Sequence, residues 1–171
     1  MILSDKDILE LMRKKKLVIT PFEKEQLGQA SVDLTLSNRF WKFKEAFIGK
    51  RVDLRKIDFK EATEEVAADS LELSPGEMCL GLTVEHITLP GDIMGHLEGR
   101  SKYARMGLAV HVTSSVVQPG SDNRQVLEIV NMSPFKLVIH EGMRISQVLF
   151  ERLESATGKP YARFGKIARK Q

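Results

Sequence analysis

Three cations and a serine hydroxyl fall within one short run, Gly99-Arg100-Ser101-Lys102-Tyr103-Ala104-Arg105, which continues into Met106-Gly107-Leu108. Ser101 is a good N-cap. Gly107 readily takes the left-handed conformation that stops a helix. Helical spacing then sets Ser101 and Arg105 on one face. The pattern predicts a short helix near 101–107, whose free backbone donors and cations form an anion site sized for a small polyphosphate. A plain basic surface turn would use the same residues, and the run by itself leaves both open. A second reactive group stands in Val126-Leu127-Glu128-Ile129-Val130. Strand alternation puts Glu128 on one face with Val126 and Val130. A carboxylate partly desolvated between two valines suits proton transfer near neutrality. A cross-strand ion pair with lysine or arginine is its other use.

The elements that must hold these groups are mostly strands. Val32, Leu34 and Leu36 alternate with Ser31, Asp33 and Thr35, as in a half-buried strand. Further strands are expected at 40–43, 71–73, 78–84, 93–98, 108–113, 124–131, 135–140 and 143–150. Pro-Gly or Glu-Gly turns punctuate them at 75–76, 90–91, 119–120 and 141–142. Many short strands with such turns predict a mainly β sandwich or barrel. Ser4 caps an N-terminal helix that carries Ile8, Leu9, Leu11 and Met12 as its apolar stripe. The charged stretch 49–70 reads as a surface excursion, partly helical.

Composition narrows the possibilities. A chain of 171 residues with 42% hydrophobic and 29% charged residues fits one globular domain, 1–171, with no linker to divide it. No apolar run reaches membrane-span length, and the opening residues lack signal-peptide architecture, so a cytoplasmic protein without a membrane partner is expected. Cys79, the single cysteine, sits in an apolar run and reads as a buried structural thiol. The net charge of +3 is uneven: the tail 155–171 carries +5, which leaves −2 for the rest. Basic charge confined to a tail and one turn suits a small anion better than a nucleic-acid track. His86, His96, His111 and His140 are too scattered for a ligand cluster, and His111 reads as a satisfied core histidine.

In order and spacing, several motifs resemble the dCTP deaminase branch of the trimeric dUTPase-like superfamily. They are the basic run, His111-Val112-Thr113, Gln118-Pro119-Gly120, Val126-Leu127-Glu128-Ile129 and Gly142-Met143-Arg144-Ile145-Ser146-Gln147. The opening Met1 to Ile8 and Ser31-Val32-Asp33-Leu34 are similar too. The resemblance implies a distorted jelly roll or β-barrel, assembled as a homotrimer with active sites at subunit junctions. It implies a dCTP deaminase that releases dUTP and ammonia, a step in dUTP and dTTP biosynthesis. A dUTP diphosphatase, a bifunctional deaminase-diphosphatase, or an inactive nucleotide-binding regulator are the alternatives. With one cysteine the chain lacks the Cys pair of a zinc nucleobase deaminase, so the chemistry is expected to run without zinc.

The resemblance also assigns residues. Glu128 is the proton shuttle, Ser101 helps hold the water, and Arg105 fixes Glu128. Arg100, Ser101 and Lys102 take the phosphates, with Mg2+ bound through the triphosphate and no metal cage made by protein. Ser114 offers backbone hydrogen bonds and Gln118 meets the sugar. Tyr103, Ala104, Val126, Leu127 and Gln147 complete the nucleotide contacts, although a strand glutamine can equally pair with backbone. Tyr161 and Lys166 of the tail fold over base and phosphate, and Phe164 is an alternative stacking face. Gln118 stands where relatives usually carry aspartate, which counts against dUTP hydrolysis because an amide accepts no proton at neutral pH. Ser121 replaces a usual aromatic, Lys102 a common serine, and Ser114 an alanine.

Overall fold

A computed structural model describes residues 1–111 and 113–165 of the chain. Helix α1 (Asp5–Arg13) starts at Ser4 in a capping box, with the Ser4 hydroxyl accepting from the Asp7 amide and the Asp7 carboxylate accepting from the Ser4 amide. Such a cap contributes about 1 kcal/mol. Its Ile8 and Leu11 are buried, so the periodic stripe holds the helix against the strands.

The strands follow in chain order: β1 (Val18–Thr20), β2 (Ser31–Phe43), β3 (Thr63–Ala67), β4 (Ser70–Leu73), β5 (Met78–Thr88) and β6 (Ile93–Gly99). After them come β7 (Leu108–Val110), β8 (Val116–Val117), β9 (Asp122–Asn131), β10 (Leu137–His140) and β11 (Arg144–Arg152). The main sheet runs β7-β9-β5-β2-β11-β6-β8 and curls as a half-barrel, with β1 added on β5 and β3 on β2; β10 and β4 form a separate pair. The mainly β expectation holds. Strand β2 is the hinge of the architecture. Its first half pairs with β11, and its second half pairs with β5 on one edge and β3 on the other.

Three local expectations are corrected. The strands expected at 31–36 and 40–43 are one strand, because Ser37-Asn38-Arg39 stays extended and only shifts the register against β5 between Leu36 and Phe40. The excursion 49–70 is not all peripheral: after the one-turn helix α2 (Phe59–Ala62), β3 joins the main sheet and buries Thr63. The strand expected over 108–113 stops at Val110, because His111 takes φ 58, a left-handed backbone that ends pairing.

The core lies inside the curl. Phe40, Phe150, Leu36, Leu127, Ile129 and Val148 are fully buried. Polar groups inside it are satisfied: the Gln26 amide donates to Glu85 Oε1 (2.6 Å) and the Thr35 N–H donates to its Oε2 (2.8 Å). Cys79 is also fully buried, and burial pushes its thiol up to about 12. A thiol alkylates as the thiolate. Native protein at neutral pH is therefore expected to resist iodoacetamide until denaturant is added, which mass spectrometry reads directly; prompt labelling would mean an opened β5.

Candidate functional site

The basic run folds as expected, with one shift. Helix α3 (Ser101–Ala104) has Arg100 at its N-cap position and no side-chain cap, so Ser101 lies inside the first turn instead of capping it. The reason is the exit from β6: Gly99 still pairs with Ser146, and the chain leaves the strand only at Arg100. Gly107 ends the turn at φ 82. A Cβ there would stand 2.9 Å from the Ser133 backbone nitrogen, so both conformation and space require glycine.

Arg100 is held on both amino groups. One donates to the Arg144 carbonyl (3.0 Å), and the other pairs with Asp33 Oδ2 at 3.0 Å. Burial pushes the Asp33 carboxyl up, against the opposing pull of Arg100 and Arg144. Gln147 donates to the Gly99 carbonyl (3.2 Å) and accepts from the Ser31 hydroxyl (2.8 Å). The backbone-pairing use of this glutamine is realised, and it anchors the residue just before Arg100. Arg100, Ser101, Lys102 and Gln147 line a largely polar cavity of about 350 Å³, walled opposite by the segment from Glu25 to Asp33. Lys102 Nζ lies 5.3 Å from the Tyr103 ring centre, and Tyr103 packs against the core. Ala104 and Arg105 are exposed and line neither this cavity nor the next.

Glu128 stands elsewhere. Strand β9 buries Gln125, Leu127, Ile129 and Asn131 and turns Val126, Glu128 and Val130 to its other face, as the alternation requires. Leu127 thus supports the site from the core side. The Glu128 carboxylate accepts from the Thr113 hydroxyl (2.6 Å) and the Thr113 N–H (3.2 Å). His111 braces the same loop: its N–H donates to the Glu128 carbonyl (2.6 Å), its Nδ1 accepts from the Glu128 N–H (3.4 Å), and its Nε2 bonds the Ser114 carbonyl. With Nδ1 accepting, the proton sits on Nε2, and the buried imidazole is a structural bridge.

Glu128 opens into a cavity of about 460 Å³ that Ser114, Gln118, Val126 and Tyr161 also line. The Gln118 carbonyl accepts from the Ser121 N–H (3.1 Å) and hydroxyl (2.6 Å), so Ser121 closes the turn. One-turn helix α4 (Tyr161–Phe164) docks there, with the Tyr161 and Ala162 N–H groups donating to the Pro119 and Gly120 carbonyls (both 2.9 Å). Gly120 takes φ 73, and a Cβ on it would lie 2.6 Å from that of Pro160. Tyr161 therefore reaches the cavity through its own chain's turn, while Phe164 is 53% exposed and lies off the lining. Lys166 lies outside the described residues.

The two cavities share no lining residue. Within one chain the structure brings Glu128 together with Ser114, Gln118, Val126 and Tyr161, and Arg100 with Ser101, Lys102 and Gln147. It does not join the two sets, and Arg105 makes no bond to Glu128. Sequence reasoning missed Thr113, which lay in a quoted motif with no role, and the partnership of Asp33 with Arg100, which no local pattern signals. His96-Leu97-Glu98 has His-x-Glu spacing, but His96 faces Glu151 at 3.4 Å. No helix among the described residues is long and apolar enough to cross a membrane.

A curled sheet of this order, with a basic turn beside one cavity and a strand carboxylate in another, is a dUTPase-like nucleotide fold. A staphylococcal phage 80alpha dUTPase superposes with a TM-score of 0.53 at 14% identity, covering 88% of this chain and 98% of that one. The 2'-deoxycytidine 5'-triphosphate deaminase of Agrobacterium tumefaciens superposes with a TM-score of 0.68 at 26% identity, over 88% of this chain. The chain spans about half of that protein, 48% of its length. The dCTP deaminase-like family model matches residues 2–153, and the chain belongs to that family. It is 40% identical over 170 residues to the dCTP deaminase of Rhodospirillum rubrum, covering 94% of this chain and 87% of that one. It is 39% identical over 166 residues to a dUMP-forming dCTP deaminase of Dictyoglomus turgidum, covering 94% and 85%.

Proposed function

We propose that this chain is a cytoplasmic, homotrimeric dCTP deaminase that hydrolyses dCTP to dUTP and ammonia in the supply of pyrimidine deoxynucleotides. The observation that carries the reading is Glu128, half-buried on the outer face of β9 and opening into a cavity large enough for a nucleoside. Its carboxylate takes a proton from water as the oxygen attacks C4 of cytosine. The same carboxyl passes that proton to N3, then carries the proton of the new C4 hydroxyl to the amino group as the C4–N bond breaks, so dCTP and water balance against dUTP and ammonia. The Ser114 carbonyl, fixed by His111, is available to the exocyclic amino group. Tyr161 and Gln118 sit on the sugar side.

The triphosphate fits the other cavity, where Arg100, Ser101 and Lys102 converge. Magnesium enters as part of the substrate, held by phosphate oxygens and water. Because the halves occupy separate cavities, a complete site takes Glu128 from one subunit and the basic turn, with Ser101 and Arg105, from its neighbour. Arg105 then meets Glu128 across the junction, and Lys166 of the tail joins the phosphates.

Incubation with dCTP and magnesium, followed by chromatography, is expected to yield dUTP with stoichiometric ammonia. Activity is expected to survive zinc chelation once magnesium is restored. Gln118 stands on the cavity wall as an amide, which cannot take a proton from water for diphosphate cleavage as an aspartate at that position would, so little dUMP is expected. Stoichiometric pyrophosphate would instead make the chain dUMP-forming, like its Dictyoglomus relative. Arg100→Ala removes a charge-assisted phosphate contact of roughly 1.5–3 kcal/mol, about a tenfold to hundredfold loss in dCTP affinity by calorimetry. Unchanged affinity would put the triphosphate elsewhere.

A further inference from the structure

The charged excursion and the outer face of the sheet build an apolar compartment against Glu128. In the antiparallel register Leu80 lies opposite Glu128 and Met78 opposite Val130, so the cross-strand neighbours of the carboxylate are aliphatic. Phe43, at the end of β2, and Phe59, the first residue of α2, wall the same cavity. Both keep apolar surface uncovered, at 47% and 37% exposure. On its other side Glu128 faces polar groups: the Thr113 hydroxyl, the Ser114 carbonyl and Gln118. A separate cavity of about 320 Å³ shares Phe59, Thr63 and Val126 with this one and carries the charged Arg39, Lys60 and Glu65, so the apolar lining ends there.

Cytosine has an edge without hydrogen-bonding groups, C5–C6, while O2, N3 and the amino group occupy the other. Turning the polar edge to an aliphatic wall would leave its groups unpaired, which is costly. With C4 at Glu128, the N3 side therefore takes the polar lining and C5 points toward Leu80, Met78 and Phe59. We propose that the compartment between Leu80, Phe43 and Phe59 is a subsite for a small alkyl substituent at C5, so that 5-methyl-dCTP is a ligand and substrate alongside dCTP. The inference rests on the deaminase reading for the orientation of the ring, and it gives the excursion a role in base selection.

The test compares dCTP, 5-methyl-dCTP and 5-(1-propynyl)-dCTP with the full-length protein and with Phe59→Ala. Each nucleotide is followed by calorimetric binding and by steady-state deamination. Burial of one methyl group is expected to make 5-methyl-dCTP bind about two- to fourfold tighter than dCTP. Its kcat/KM is expected to match or exceed that of dCTP. Phe59→Ala removes the roof, so the kcat/KM ratio of the propynyl nucleotide to dCTP should rise at least ~tenfold, the lower range for pocket discrimination. Taking the ratio within one preparation cancels any loss of folded protein. Binding of 5-methyl-dCTP about tenfold weaker than dCTP, or an unchanged propynyl ratio, would overturn the subsite. If dCTP binds and is not deaminated, the deaminase reading fails by itself, and the calorimetric comparison still decides the subsite.

Discussion

Replacing Glu128 with glutamine is expected to lower turnover of dCTP by at least ~10²-fold, the low end for loss of a general acid–base group. The amide keeps the shape of the side chain and can still accept from the Thr113 hydroxyl and N–H, so Thr113 has no reason to move. What disappears is the capacity to carry a proton between water, N3 and the leaving amine. Binding of dCTP should survive, because the triphosphate contacts belong to the other cavity. The informative measurement is therefore a split: kcat collapses while calorimetric affinity stays within about threefold. Retained turnover would make Glu128 a structural partner of Thr113. Lost affinity together with lost turnover would place it in ground-state binding instead.

The second large effect is restoration of activity between two impaired proteins, one in turnover and one in affinity, assayed with dCTP well below KM. Glu128→Gln keeps the basic turn, and Arg100→Ala keeps the carboxylate. If each site takes one half from each of two subunits, co-expressed variants carrying different tags assemble some sites with both intact halves. A trimeric ring that holds both variants, in either ratio, has about one competent site in three. Activity of the doubly purified mixture is then expected to return to roughly a third of wild type, from about a hundredth or less in the Glu128 variant alone. A mixture no more active than the sum of its parents would mean that both halves serve one subunit. The geometry behind this expectation is plain: Arg100 is committed to Asp33 and the Arg144 carbonyl on one cavity wall, and Glu128 faces a cavity that shares none of those residues.

Local chemistry made much of the fold and part of the site legible. The capping box at Ser4, the alternation of β9 and the Gly107 stop each depend on backbone preferences that act within a few residues. The side of the sheet that carries Glu128 was readable for the same reason. The exact cap of α3 was not, since Ser101 has the chemistry of an N-cap and only the pairing of Gly99 with Ser146 moves the cap to Arg100.

Long-range pairing decided the rest. Strand β3 emerged from a stretch that looked like a charged excursion, because strand formation there depends on the free edge of β2, which lies about twenty residues earlier in the sequence. Ordered motifs determined that the chain belongs with dCTP deaminase-like proteins, for residue identity and spacing are local properties. Only the tertiary structure determined that Arg100 leans on Asp33, that Glu128 leans on Thr113, and that the two halves open into separate cavities. Those facts follow from which strands meet, since even the nearest of these partners, Thr113 and Glu128, lie 15 residues apart and no periodicity links them.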